Sequence, residues 1–401
     1  MANWLLMKKG IHKLHIAPLI LLLSIISGYS SYAQEELEDK PQKFEFKGYI
    51  KDIQGFNFSG NFDSTTWINL IHNRINTKYN FGSKLTARLE MRNRIFLGTQ
   101  VSETPGFAES IDQYPGYFDL SIIWVNNPSL VIQSVIDRLL LKYSVPKWDI
   151  TVGRQRINWG MNNIWNPNDI FNAYNFLDFD YEERPGNDAI RIQHYPKLNS
   201  TLEFAWKPGR EADENVASVL YRFNKKKYDY QVLAGLYNTD LVVGGGWAGS
   251  IGNAGFKGEA SYFHPYDKLT DTSGVVSASV MSDFTFKNGW YISGSILFNS
   301  DPSGYFGNGG IYTTNLSAKS LFPFRYSFYS GVAKSFATVF SLNASVIYSP
   351  DNNSLILFPS FAYNASENID VDLTIQSFFS NENGTYKCMG TALYLRGKWS
   401  F

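Results

Sequence analysis

The sequence predicts an all-β protein, a single transmembrane antiparallel β-barrel of about 18 strands, with about 16 as the lower count. Three observations predict it. Apolar and polar residues alternate with a period of two along most of the chain. A basic and then apolar segment opens it. The links between alternating stretches sort into short and long by parity.

The opening segment predicts export. Lys8, Lys9 and Lys13 precede an apolar run over residues 16–26, and small and polar residues lead to Ala33 before Gln34. A basic stretch, a short apolar run and a small-residue cleavage site describe a secretory signal peptide over residues 1–33. Met7 heads a more usual Met-Lys-Lys start. A transmembrane anchor is the competing reading, but the run is too short to span and polar residues follow at once. Cys388 lies far from that junction, which excludes a lipid anchor there, and a lone cysteine allows no intrachain disulfide. Residues 34–42 read as a short polar periplasmic lead, and residues 43–401 as one barrel domain.

Strands then follow in order, near 43–58, 68–80, 85–98, 132–144, 148–158, 188–195, 199–207, 216–224 and 228–237. The second half gives 240–250, 254–263, 275–286, 289–299, 324–334, 338–348, 354–364, 368–379 and 385–401. On the third of these, Leu85, Ala87, Leu89, Met91, Ile95 and Leu97 oppose Arg88, Glu90, Arg92 and Arg94. On the seventeenth, Ile369, Val371, Leu373 and Ile375 oppose Asp370, Asp372, Thr374 and Gln376. The first strand and the Gly244–Gly246 region carry the weakest patterns. Strands of roughly ten residues with one clean apolar face suit a tilted crossing of a bilayer.

Links separate barrel from sandwich. Residues 81–84, 145–147, 196–198 and 225–227 are tight, whereas 99–131, 159–187 and 300–323, of the other parity, are long. Short periplasmic turns and long extracellular loops are what such a barrel requires, and a soluble sheet has no reason to sort its loops. Composition agrees. Aromatics make up 16% of the chain, mean hydropathy is slightly negative, and no other long apolar run exists for a helical span. A zero net charge argues against a nucleic-acid partner. The closing strand sets Leu393, Leu395, Trp399 and Phe401 on one face and ends on an aromatic, the expected assembly signal for a barrel-assembly machinery.

The richest stretch is Gly153-Arg154-Gln155-Arg156-Ile157-Asn158-Trp159-Gly160, followed by Asn166-Pro167-Asn168-Asp169 and the Pro185-Gly186 pair. These residues resemble the porin-like outer-membrane proteins of Gram-negative bacteria, including an alginate-export-like group. The likeness covers about 40 residues, is low in specificity for any substrate, and implies a passive channel without supplying ligand residues. Read physically, the stretch is strand, loop, strand. Asp169, Asp178, Asp180, Glu182 and Glu183, interleaved with Phe171, Tyr174, Phe176, Phe179 and Tyr181, make an acidic and aromatic loop. It is expected to fold inward as a constriction, since so many aromatics are awkward when exposed; the competing reading is an external loop capping the rim.

Parity also predicts a basic inner wall: His72, Arg74 and Lys78; Arg88, Arg92 and Arg94; Arg138 and Lys142; Arg154 and Arg156; and Arg191. Ile150 and Val152 share the parity of Arg154 and Arg156, which makes that strand ambiguous. A charge facing lipid at mid-depth costs about 2–4 kcal/mol, so these groups belong in the lumen. They read either as an anion-preferring patch or as partners of Glu90, Asp137 and the acidic loop in structural ion pairs. Glu203, Asp229, Glu259, Asp283, Asp370 and Asp372 on later strands would set a field across the pore. Inward Ser277, Ser279, Ser293 and Ser295 leave space, and Leu220, Leu233, Met281 and Phe378 partly fill it.

Enzymatic readings are weak. The mature histidines His72, His194 and His264 have no metal-ligand spacing, and no Gly-x-Ser-x-Gly elbow occurs. No cofactor and no metal are expected. The expected function is a porin-like channel in the cell outer membrane for passive diffusion of small hydrophilic solutes, anionic ones among them. The alternative is a non-conducting surface barrel whose long loops bind a saccharide or protein. Expected partners are outer-membrane lipid, the assembly machinery, the solute and further copies of the chain.

Overall fold

The computed structural model describes residues 42–112, 116–173, 186–270, 272–304, 316–382 and 384–401. Residues 43–401 are one compact unit. The predicted signal peptide, and Asp178, Asp180, Glu182 and Glu183, lie outside the described residues.

The first strands are β1 (Phe44–Ser59), β2 (Thr65–Phe81), β3 (Leu85–Leu97), β4 (Ser121–Asn127), β5 (Leu130–Val145) and β6 (Trp148–Gln155). Then come β7 (Asn187–Lys197), β8 (Ser200–Lys207), β9 (Val216–Lys225), β10 (Tyr228–Tyr237), β11 (Asp240–Ile251) and β12 (Ala254–Pro265). The rest are β13 (Val275–Thr285), β14 (Tyr291–Asn299), β15 (Tyr326–Phe336), β16 (Phe340–Ser349), β17 (Ser354–Ser366), β18 (Ile369–Glu382) and β19 (Thr385–Ser400). Neighbours pair antiparallel, and β1 closes on β19, so the strands form a closed ring. The seam is tied at its end by Gly48 and Phe401, which exchange backbone hydrogen bonds of 2.9 Å each.

The wall is 18 strands round, although 19 strands are present among the described residues. The extra one is β4, which lies inside the stretch read from sequence as one long loop, 99–131. On the edge of β5 away from β3, β6 pairs with residues 139–145 and β4 pairs with residues 130–135. β4 therefore closes the wall where β6 leaves it. The sequence places the end of that strand at 158, whereas β6 ends at Gln155 and the chain turns inward. Asp119 begins β4 by accepting the backbone N–H and hydroxyl of Ser121, at 3.0 and 2.8 Å, which hold its carboxyl below the usual range. Short helical turns at Thr99–Glu103 and Phe107–Ile111 pack Val101 and Ala108 against Phe96 and Val131.

Every link at one rim is a tight turn, as between β2 and β3, β5 and β6, β7 and β8, and β9 and β10; the long connections all lie at the other. Outward positions are apolar and exposed, as in Leu139, Leu141, Val232, Val243, Ile292 and Ile296. Aromatic contacts gird the turn rim: Tyr79 on Phe81, Trp148 stacked on His194 at 4.1 Å, Phe340 on Tyr363 and Trp399 on Phe401. An apolar band closed by an aromatic girdle is a surface made for lipid. The barrel is transmembrane.

Candidate functional site

The site is the chain that leaves β6. After Gly153 (φ +112°) the strand's parity changes: Val152 is exposed outward, whereas Arg154 and Gln155 are both buried. A side chain at Gly153 would meet the Leu139 carbonyl of β5, so only glycine lets the strand kink there. This resolves the mixed parity of Ile150, Val152 and Arg154. Arg156 lies beyond the strand and is exposed.

From Ile157 to Asn172 the chain forms a strap against the inner face of β8–β13, and most of it is buried. The wall holds it through side chains that meet its backbone. Glu203 of β8 accepts the indole N–H of Trp159 at 2.6 Å while a bidentate Arg191 of β7 orients it at 2.7 and 2.8 Å. Gln231 of β10 donates to the Trp159 carbonyl at 2.7 Å. Glu259 of β12 accepts the backbone N–H groups of Met161, Asn162 and Asn168, the last at 3.1 Å. Ser261 donates to the Pro167 carbonyl and Ser279 to the Trp165 carbonyl, at 2.9 and 2.8 Å. Within the strap, Asp169 accepts the Trp159 N–H at 3.3 Å and Asn172 accepts that of Ile157 at 3.3 Å. An irregular buried segment needs its backbone polar groups satisfied, and here carboxylates, hydroxyls and side-chain amides supply the partners.

Apolar packing backs the polar ties. Ile157, Trp159, Ile170 and Phe171 sit among Ala205, Leu220, Leu233, Val242 and Phe263. Ile164 and Trp165 sit with Met281, Leu297, Ile347 and Ile356, joined by Leu321, Phe322 and Phe324 of a second inward connection. The glycines of β11 find their reason here. A Cβ on Gly244 would fall against Asn168 Oδ1 and Ser261 Oγ, and one on Gly246 would lie 3.2 Å from Asn168 Nδ2.

These contacts correct two expectations. Ser277, Ser279, Ser293 and Ser295 do not open space; they are buried, and Ser279 is bonded to the strap. Glu203 and Glu259 are turned to the strap rather than across an open pore.

The predicted basic residues lie on one side of the barrel, and most are paired. Asp137 meets Arg74 at 2.5 Å and Arg92 at 3.2 Å, and Arg74 also reaches Glu90 at 2.7 Å. Asp137 is a bulged residue of β5, where the register against β3 shifts between Glu90 and Met91. The bulge turns both Asp137 and Arg138 inward, against a strict alternation, and Arg138 donates to the Asp137 carbonyl at 2.8 Å. Arg154 binds Asp188 at 2.8–2.9 Å and donates to the Phe118 carbonyl. Lys78 pairs with Glu45 and Lys142 with Asp149, at 2.7 and 2.9 Å. Arg94 donates to Gln133 and lies over the Phe96 ring. His72 is buried against Tyr49. Arg88 is exposed on the inward parity. Of the acidic loop candidates only Asp169 is described, and it is 1% exposed.

No protein-family model and no curated protein matches the chain. Solved structures do match in fold. Pseudomonas aeruginosa OccK5 (OpdH) superposes with a TM-score of 0.58 at 8% identity, covering 90% of this chain and 98% of that one. P. aeruginosa OprD gives a TM-score of 0.57 at 8% identity over 89% and 95%. Acinetobacter baumannii OccAB4 gives 0.54 at 9% identity over 90% and 99%. At such identities the likeness is one of architecture, and the architecture this chain shares with them is the porin-like barrel.

Proposed function

We propose that this protein is an outer-membrane channel for passive diffusion of small hydrophilic solutes, narrowed by the strap of residues 157–172. One observation carries the reading: a closed 18-strand wall, apolar outside and charged inside, with an ordered strap hydrogen-bonded across its inner face. A barrel built only to display loops needs no polar inner wall. The turn rim faces the periplasm and the long loops face outward, with residues 1–33 removed on export. Asp178, Asp180, Glu182 and Glu183 would line the narrowed path opposite the basic residues, of which Arg88 and Arg156 are the most exposed, while the buried Asp169 holds the strap's own backbone. Phe401 serves assembly, supported by its place at the seam against Phe46. Kinship with alginate-export-like barrels rests on the Gly153–Gly160 motif with the Asn166–Asp169 and Pro185-Gly186 pieces that follow it.

Planar-bilayer recording of the purified protein tests the function. Discrete conductance steps are expected, and excision of residues 163–182 should enlarge them. A folded, heat-modifiable protein that never conducts would favour the alternative, a surface barrel that binds a partner through its loops.

A further inference from the structure

The outward face of β1, β2, β3, β5 and β4 breaks the apolar rule. On β1 the outward residues between Phe46 and Phe56 are Gly48, Ile50, Asp52 and Gln54, while Tyr49, Lys51 and Ile53 are buried inward. Asp52 Oδ1 accepts Asn69 Nδ2 of β2 at 2.6 Å and Gln54 Nε2 at 2.8 Å. One strand position further along the face, Asn73 and Asn93 lie directly opposite each other, and Asn93 lies opposite Ser134 of β5. Their side chains bond in series: Asn93 Nδ2 to Asn73 Oδ1 at 3.1 Å, Ser134 Oγ to Asn93 Oδ1 at 2.6 Å, and Trp124 Nε1 of β4 to Ser134 Oγ at 2.9 Å. The inward neighbours in the same register are Arg74 and Arg92, so the amides face outward.

This stripe lies inside the band that should meet lipid. Asp52 is four residues from Phe56 along a strand rising about 3.3 Å per residue, so it is well below the rim. Asn73 is flanked on its face by Ile71 and Ile75, and Asn93 by Met91 and Ile95. Acyl chains offer these groups no hydrogen bonds, and a carboxylate facing them is unfavourable. On β6–β10 the band is apolar, with Ile150, Val152, Ile192, Phe204, Val219 and Val232.

We propose that this face is the interface through which a second copy of the chain docks. The chemistry of the stripe selects that occupant. Gln54, Asn69, Asn73 and Asn93 each carry both donors and acceptors, so the patch is complementary to itself, as a two-fold contact requires. Asp52 Oδ2 then takes an amide donor from the other copy. Between membrane proteins, polar side chains of this kind hold contacts that apolar surfaces, equally content with lipid, do not. No cation stands on the stripe among the described residues, so the contact is one of amides rather than ion pairs.

The test uses the full protein in native outer-membrane vesicles and in mild detergent. An Asn73→Cys substitution in a Cys388→Ser background should give a disulfide- or bismaleimide-linked dimer of this chain. Asn73→Leu with Asn93→Leu should convert a dimer to a monomer on size exclusion with light scattering. Heat-modifiable migration reports that each variant barrel is folded, and Asp52→Leu provides a second break should the pair fail to fold. Conductance per barrel should persist in the monomer, which separates this interface from the channel reading. A wild-type protein that is monomeric in both settings, a crosslink to a different protein, or a Leu variant that stays dimeric would each overturn the proposal.

Discussion

Trp159 donates its indole N–H to Glu203 at 2.6 Å, and through that bond a segment leaving β6 is fixed to the wall formed by β8. The same carboxylate is held by Arg191 and Gln193, so the anchor is oriented before the strap reaches it. Glu203→Gln removes a charged acceptor that serves four donor nitrogens on three residues. Each hydrogen bond to a charged group contributes about 1.5–3 kcal/mol, so stability should fall by at least that of one bond. Urea unfolding of the refolded barrel reads the loss, and the single-channel trace should become noisier as the strap loosens. A midpoint and trace unchanged from wild type would mean the strap is held by its apolar contacts alone.

Asp137 is the common partner of Arg74 and Arg92, and all three are nearly buried. Removing the shared anion leaves two guanidiniums facing each other. Asp137→Asn should destabilise the barrel by about 3–5 kcal/mol, whereas replacing the three together by apolar residues of similar volume should cost less. Comparison of the two variants by unfolding midpoint decides whether the cluster is a coupled ion-pair network. Equal losses would show that the groups act separately.

Much of the fold was legible in the sequence because a barrel strand is a local pattern. All eighteen predicted strands stand near their places, down to β11 with its Gly244–Gly246 run. What failed was parity at irregular backbone. The Gly153 kink and the Asp137 bulge each shift the inward set by one residue, and no alternation rule anticipates a bulge. β4 was missed because seven residues pairing with only half of β5 look like part of a long loop. The anchors of the strap were also hidden. Glu203, Gln231, Glu259 and Ser261 come from separate strands, and nothing local in the sequence says that they converge on one segment. The signal that could have found it was the pair of inward glycines on β11, small residues where a second backbone comes close.

Ion preference should follow exposure rather than the number of arginines. Arg92 is spent on Asp137, whereas Arg88, on the same face of β3, is exposed. In a salt gradient Arg88→Gln should move the reversal potential toward cations, most at low ionic strength, where screening beyond about 10 Å is weak. Arg92→Gln should move it less and destabilise the fold more. A larger shift from Arg92→Gln would place the conducting path along the ion-pair cluster instead.

Gly244 offers the sharpest probe of the strap's position, because it touches the strap without belonging to it. A Cβ there would fall against Asn168 Oδ1 and the hydroxyl of Ser261, the two atoms that bond each other at 2.8 Å. The barrel wall at that point is regular, with Gly244 opposite Ser261 and Leu233, and the nearest wall backbone atom to a new Cβ is the Ala260 carbonyl oxygen at 3.0 Å, which a shift of a few tenths of an ångström relieves. Gly244→Val should therefore leave heat-modifiable migration intact while displacing Asn168 and the turn around it. The expected readout is a changed unitary conductance. Gly245→Ala is the matched control, since its Cβ points outward toward Val232 and no nearer than 3.2 Å to the Gln231 carbonyl. If the valine variant folds and conducts as wild type does, the strap does not define the narrow part of the path, and the constriction must be sought at the second inward connection around Phe322 and Phe324.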